Sequence, residues 1–275
     1  MQDAPVISRL APTPSGFLHQ GNAANFALNA RLAGSAGRLY LRIDDLDRGR
    51  FREEYLVDIF RVIDWLGITV TDGPGSPEDF HARWSQQFRL KDYEEALLSL
   101  RGHPLLFACP CSRKELAQGD HAYGCLSGKI SLDAEGVAWR INTRELASVF
   151  VPDLVQPKSF TVDLHQEMPD FAVRKKDGKP SYQTACVADD VLFNVNRVGR
   201  GEDLLASTAA QAVLSDLLGY GSLFDRIAFL HHPLVSKPGG EKLSKSAGAR
   251  GVSTLESLRP EDIFVLAESW MKQPY

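Results

Sequence analysis

The stretch Val6-Ile7-Ser8-Arg9-Leu10-Ala11-Pro12-Thr13-Pro14-Ser15-Gly16-Phe17-Leu18-His19-Gln20-Gly21-Asn22 constrains this chain more than any other. It predicts a short buried strand, a proline-stiffened turn and then a helix over residues 23–33. Pro12 and Pro14 fix φ and stop the strand from continuing. Gly16 and Gly21 permit close backbone approach or positive φ. A His and a Gly at a helix N-terminus suit phosphate, because the first-turn N–H groups lack internal partners and the helix dipole favours negative charge.

Residues 38–43 read as a second strand, so the opening forms a strand–helix–strand unit with parallel strands and a right-handed crossover. That strand runs into Asp44-Asp45-Leu46-Asp47-Arg48. Acidic residues there fit a ligand site at the carboxyl end of a parallel strand. They equally fit a solvated turn capping the next helix, and composition leaves both open. A helix over 52–66 follows from Leu56, Ile59, Phe60, Ile63 and Leu66 at three-and-four spacing, closed by Gly67. Another is expected over 84–100, with Tyr93, Leu97 and Leu100 facing the core.

Beyond Gly102 the pattern becomes short strands and turns. Strands are predicted over 105–108, 137–142, 159–164, 171–175 and 181–188, with Lys176-Asp177-Gly178-Lys179 as a hairpin turn. A strand ending at 196–201, a helix over 205–218 and a strand over 226–230 restore the α/β rhythm. The expected architecture is α/β, two half-sheets flanking a β-rich insertion. Its boundaries are drawn at 1–102, 103–188 and 189–275.

The chain's net charge of −4 and pI near 6.0 argue against non-specific coating of nucleic acid, while leaving room for a local basic patch. No apolar run reaches the ~18 residues of a membrane span. The N-terminus lacks the features of a signal peptide, so the expectation is a cytoplasmic protein without membrane contact. With no long exposed apolar helix, a monomer is expected. Of the four cysteines, Cys109, Cys111 and Cys125 crowd one short segment, which in such a compartment points to metal before disulfide. Cys186, on an apolar stretch read as strand, is expected simply to be buried.

Downstream, Gly239-Gly240-Glu241-Lys242-Leu243-Ser244-Lys245-Ser246-Ala247-Gly248 sets two lysines among small hydroxyls and glycines. A mobile loop of this kind can close on a departing pyrophosphate. Alone, it reads better as an ordinary solvated basic turn, because Lys/Ser/Gly segments are common in loops.

Together, His19-Gln20-Gly21-Asn22 and Lys242-Leu243-Ser244-Lys245-Ser246 resemble the HIGH and KMSKS pair of class I aminoacyl-tRNA synthetases. The flanks resemble the glutamyl branch: residues 9–16, Arg42-Ile43-Asp44-Asp45-Leu46-Asp47, Ser181-Tyr182 before Asp189-Asp190, and Arg200-Gly201-Glu202-Asp203. These motifs run in one order over residues 7–249. Full-length glutamyl-tRNA synthetases continue into a helical anticodon-binding part, whereas this sequence stops at Tyr275. It therefore resembles the truncated glutamyl-queuosine tRNA(Asp) synthetases, which implies a Rossmann-like catalytic domain with no anticodon-binding domain.

That resemblance implies ATP-dependent, tRNA-independent activation of L-glutamate, then transfer to queuosine in the anticodon of tRNA(Asp). It assigns Arg9, Thr13, Asp44, Tyr182 and Arg200 to glutamate, with Asp44 standing where the family usually has Glu. His19, Gly21, Asn22 and Lys245 are assigned to ATP, with His19, Gly21, Lys242 and Lys245 as the catalytic set and Mg²⁺ as helper. His231-His232 is expected at a strand end near the nucleotide. Zinc-bearing relatives show Cys-x-Cys, then Tyr, three residues, Cys. At the Tyr position this chain has His121, with Tyr123 two residues later. Cys109, Cys111, His121 (Tyr123 as the alternative) and Cys125 would hold a closed, structural Zn²⁺. Rival readings are a glutamate-activating ligase with another acceptor, a tRNA 3′ end or carrier protein, and a non-catalytic tRNA- or nucleotide-binding paralogue.

Overall fold

The computed structural model describes residues 5–117, 121, 124–155, 159–235, 255 and 257–272. The first unit is β1 (Ile7–Leu10), α1 (Gln20–Ala33) and β2 (Arg38–Leu41), with β1 and β2 parallel and Arg9 opposite Tyr40. The helix α2 (Glu53–Trp65) buries Leu56, Ile59 and Ile63, and Glu53 and Glu54 in its first turn favour the dipole. The expected helix over 84–100 is broken. A single turn, α3 (Pro77–Asp79), leads through a π turn at Phe80–Trp84 and a 3-10 turn at Gln86–Arg89 into α4 (Leu90–Ser99). Ser85 is extended at the break, where buried Asp45 accepts hydrogen bonds from Ser85 Oγ at 2.6 Å and Gln86 N at 2.8 Å. A buried carboxylate needs such donors more than a helix needs one residue.

The middle of the chain is antiparallel. β3 (Leu106–Cys109) precedes the short α5 (Arg113–Leu116), then β4 (Ala138–Ile141), β5 (Val149–Pro152), β6 (Ser159–Val162), the short α6 (Leu164–Glu167) and β7 (Ala172–Arg174). They form a sheet in the order β3-β4-β7 and a ribbon β5-β6, of which β5 carried no clear sequence signal. The turn at Lys175 to Lys179 forms, with Lys175 N donating to Lys179 O at 2.8 Å. Its expected second arm over 181–188 does not. Instead Ser181 caps α7 (Tyr182–Leu192), its hydroxyl accepting from Thr184 N. This helix is buried on most sides, so its apolar run shows no period that separates helix from strand.

The last part comprises β8 (Arg197–Gly201), α8 (Leu205–Leu217), the single-turn α9 (Leu223–Arg226), β9 (Ala228–His232) and α10 (Pro260–Lys272). Here the two half-sheets meet across the antiparallel middle part. Ser8 pairs with Arg197, so one parallel sheet runs β2-β1-β8-β9. The helix α1 lies tightly on β8. A Cβ on Gly199 would fall 2.6 Å from Leu28 Cδ2, and Asn29 exchanges hydrogen bonds with Gly199 N (2.8 Å) and O (2.9 Å). Only glycine allows that approach. One core gathers Leu28, Leu41, Ile59 and Trp270 between the parallel sheet, α2 and α10; a second gathers Trp139, Val151, Val173 and Leu214 around the antiparallel strands. Among the described residues no helix is long and apolar enough to cross a membrane.

Candidate active site

The carboxyl ends of β1 and β8 and the N-terminus of α1 converge, as ligand sites in open parallel sheets do. His19 is the N-cap of α1. Its Nδ1 accepts from Gly21 N at 3.1 Å, and the Asn22 side chain accepts from His19 N at 3.1 Å. This reciprocal cap fixes the proton of a neutral His19 ring on Nε2. Gly21 is needed for closeness rather than positive φ, since a Cβ there would lie 3.1 Å from His19 Cε1. The proline loop is laced to the acidic segment: Asp44 N donates to Pro12 O at 2.9 Å, and Arg42 N to Leu10 O at 2.8 Å.

Beneath this floor lies a buried network of fixed charge. Arg9 Nε donates to Asp190 Oδ1 at 2.9 Å, and Arg42 Nη1 donates to the same oxygen at 2.6 Å. Arg42 also grips Asp44, while Arg89 Nε and Tyr93 Oη both donate to Asp189 Oδ1 at 2.8 Å. Three guanidinium groups thus face three carboxylates, the pairing that makes buried charge tolerable. Burial pushes the Asp190 carboxyl up, but the charges of Arg9 and Arg42 outweigh it and hold it below its ordinary value. For Asp44 burial wins over Arg42, and its carboxyl lies above the ordinary value.

Arg200 adds its charge to those that lower Asp190, but its hydrogen bonds go elsewhere. Its Nη1 donates to Thr208 Oγ1 at 3.0 Å and Gln211 Oε1 at 2.9 Å, and its Nη2 to Tyr182 Oη at 3.3 Å, all neutral groups. Among the described residues, Arg200 Nε and Arg9 Nη2 are buried without a hydrogen-bond partner. Both residues line a cavity of about 470 Å³, together with Thr13, His19, Gly21, Asn22, Asp44 and Tyr182. Every residue the resemblance assigns to glutamate or ATP, apart from the lysine loop, therefore shares one cavity. Lys242 and Lys245 lie outside the described residues.

Sequence reasoning missed Asn25 and Arg42. Asn25 lines the cavity and donates to Gly199 O at 3.0 Å. Arg42 is among the largest fully buried side chains, and only the alternation of Arg42 with Asp44 hinted at its role. The acidic segment divides both of its readings. Asp44 faces the cavity, Asp45 holds the Ser85 break, and the N-cap of α2 is Arg52, without a side-chain cap. The histidine pair divides as well: His232 lines the cavity and stacks on Trp270 at 4.0 Å, whereas His231 points to Asp153. Cys186 is buried as expected, but on α7, where Arg42 Nη1 reaches its carbonyl oxygen at 3.5 Å.

Some distance along the chain, Cys109, Cys111, His121 and Cys125 bring their ligand atoms within 4.8 Å of one another. Cys109 Sγ lies 3.3 Å from His121 Nδ1, and Cys111 Sγ lies 3.7 Å from Cys125 Sγ. Tetrahedral zinc with bonds of about 2.0–2.3 Å spans edges of this size, so the donor set fits that ion. Burial and the neighbouring thiols push the Cys125 thiol up to about 12. Three thiols packed so closely need a cation before they ionise together. Tyr123, the alternative ligand, lies outside the described residues. His121 Nε2 sits 2.9 Å from Asp170 Oδ2, and Asp170 Oδ1 accepts from Thr143 N at 3.0 Å.

A parallel sheet with a capped helix N-terminus, a cation-lined cavity and an antiparallel middle part defines a class. The family model of the class I tRNA synthetases (E and Q), catalytic domain, matches residues 5–130 and 134–262. Within it, a protein named Glutamyl-Q tRNA(Asp) synthetase from Dechloromonas aromatica (strain RCB) is 35% identical over 263 residues, covering 91% of this chain and 82% of that one. Another of that name, from Geobacter sulfurreducens, is 35% identical over 271 residues, covering 94% and 81%. The chain belongs to the glutamyl-Q tRNA(Asp) synthetase family. Among solved structures, the glutamate-tRNA synthetase of Elizabethkingia anophelis is similar with a TM-score of 0.72 and 25% identity. The match covers 90% of this chain and 54% of that one, so the chain spans about half of its length.

Proposed function

We propose that this chain activates glutamate with ATP, without tRNA, and transfers the glutamyl group to queuosine in the anticodon of tRNA(Asp). The observation that carries this is the one cavity at the N-terminus of α1 in which two guanidinium residues, Arg9 and Arg200, stand with the carboxylate of Asp44. Two guanidinium groups in one cavity suit a ligand with two carboxylates, since guanidinium–carboxylate pairing is charge-assisted. Asp44 offers the opposite charge for the α-ammonium group. A smaller or neutral amino acid would leave one guanidinium unsatisfied, which is how a polar pocket discriminates.

The α-carboxylate is already ionised, so the first step requires no general base. Its oxygen attacks the α-phosphorus of ATP in line, a P–O bond to pyrophosphate breaks, and glutamyl-adenylate forms. Catalysis is then positioning and charge stabilisation, supplied by His19 Nε2–H, the α1 N-terminus and the Lys242–Lys245 loop. Mg²⁺ would neutralise phosphate charge when bound. In the second step a hydroxyl of the queuosine diol attacks the activated carbonyl and AMP leaves. Zn²⁺ held by Cys109, Cys111, His121 and Cys125 would staple the antiparallel part, its four protein donors leaving no open position for catalysis.

Charging assays with labelled glutamate test the acceptor. Transfer to queuosine-containing tRNA(Asp), retained after removal of the 3′-terminal adenosine, is the expected result. Charging that needs the 3′ adenosine, or ignores queuosine, would overturn it in favour of an ordinary acceptor.

A further inference from the structure

Behind Arg200 runs a buried polar chain that the proposed chemistry does not itself use. Arg200 and His231 are opposite each other on the neighbouring strands β8 and β9. Thr208 Oγ1, on α8, accepts from Arg200 Nη1 at 3.0 Å and lies 2.8 Å from His231 Nε2. On the far side of the ring, Asp153 Oδ2 is 3.1 Å from His231 Nδ1 and accepts from His231 N at 2.8 Å. The side chains of His231 and Asp153 are both fully buried. Asp153 directly follows β5, and Leu154 N donates to Phe229 O at 2.7 Å, so the antiparallel part is stitched to β9 here. Phe160 of β6 and Phe229 of β9 flank the His231 ring, at 5.7 Å and 5.9 Å.

We propose that Asp153, His231 and Thr208 form a positioning relay that runs from the antiparallel part of the chain to Arg200 and orients its guanidinium for the substrate carboxylate. A buried Asp–His pair is an expensive way to fill space, because apolar side chains would pack there without desolvating polar groups. Its geometry has a directional result. Asp153 fixes the ring through Nδ1, the ring at 2.8 Å and the Leu204 carbonyl at 3.2 Å together hold the Thr208 hydroxyl, and Thr208 with Gln211 holds Arg200 Nη1. With Nη1 and Nη2 both held by protein acceptors, the guanidinium keeps one orientation in the cavity wall. None of the three relay residues lines the cavity; they act through Arg200.

This rests on the proposed function, and glutamate-dependent ATP–pyrophosphate exchange without tRNA tests it. Thr208→Val keeps the shape and removes the hydroxyl. It is expected to raise the KM for glutamate by about 10-fold or more, the scale of one lost hydrogen bond to a charged group, while the KM for ATP stays within about twofold. Thr208→Ser, which keeps the hydroxyl, should restore the glutamate KM to within about threefold. Asp153→Asn repeats the reading from the other end of the relay if the valine variant does not fold. An unchanged glutamate KM in either variant, or equal rises in both KM values, would overturn the relay alone. Absence of glutamate-dependent exchange in the wild type would overturn the functional reading and the relay with it.

Discussion

Arg42 grips Asp44 two residues along, with Nε–Oδ1 at 2.7 Å and Nη2–Oδ2 at 3.2 Å. Both carboxylate oxygens are thus held from below while the side chain still borders the cavity. A carboxylate fixed in this way is a preorganised partner for an ammonium group. Asp44 is one methylene shorter than the Glu usual in the family, and Arg42 decides where that shorter arm points.

Asp44→Asn keeps the shape and removes the charge. Losing a charged partner for the α-ammonium group costs about 1.5–3 kcal/mol, so the glutamate KM is expected to rise roughly 10- to 100-fold. Pyrophosphate exchange at varied glutamate and fixed ATP reads it. A glutamate KM within about twofold of wild type would remove Asp44 from the ammonium subsite.

Asp190 accepts from both Arg9 and Arg42. Asp190→Asn leaves these two buried cations underpaired, at a cost of about 3–5 kcal/mol at neutral pH. The sign with pH follows from the depressed carboxyl. A carboxylate whose folded pKa is lowered contributes stability that is full above the unfolded value of about 3.9 and is lost as pH falls through the folded value. The gap between wild type and variant in denaturant titrations should therefore be flat near neutrality and shrink only below about pH 4. A constant gap down to pH 2 would contradict the pairing.

Asp170 tests the cysteine cluster. It sits at φ 46, a conformation that Asn also tolerates, so Asp170→Asn changes little besides the charge and one donor. An amide nitrogen facing His121 Nε2 would donate to it and drive the proton to Nδ1, the atom beside Cys109. Such outer partners are worth about 10- to 100-fold in metal affinity, so zinc should leave the variant for a chromogenic chelator by that factor more readily. Equal release from both proteins would separate Asp170 from the metal.

Lys245, outside the described residues, is the cation proposed for the departing pyrophosphate. Lys245→Ala should slow exchange by about two to three orders of magnitude, as for loss of one group aimed at developing charge. Near-unchanged exchange would remove that role.

Much of this site was legible in the chain because its residues sit where regular structure begins and ends. Proline punctuation, the His19 cap and the strand-end position of Asp44 are local signals, and local physics places them. Arg42, Asn25 and the Asp153–His231 pair were not legible, since each takes its meaning from a partner more than 75 positions away. The helix break at Ser85 arose the same way, from Asp45 forty residues earlier. Where α7 was read as strand, an almost fully buried run had erased the amphipathic period on which such readings depend.

The central claim is that this cavity activates glutamate by itself. Pyrophosphate exchange with a panel of amino acids, without tRNA, tests it most directly. Exchange supported by glutamate and not by glutamine, aspartate or the others is the predicted result. Exchange with a different amino acid, or with none until tRNA is added, would contradict it.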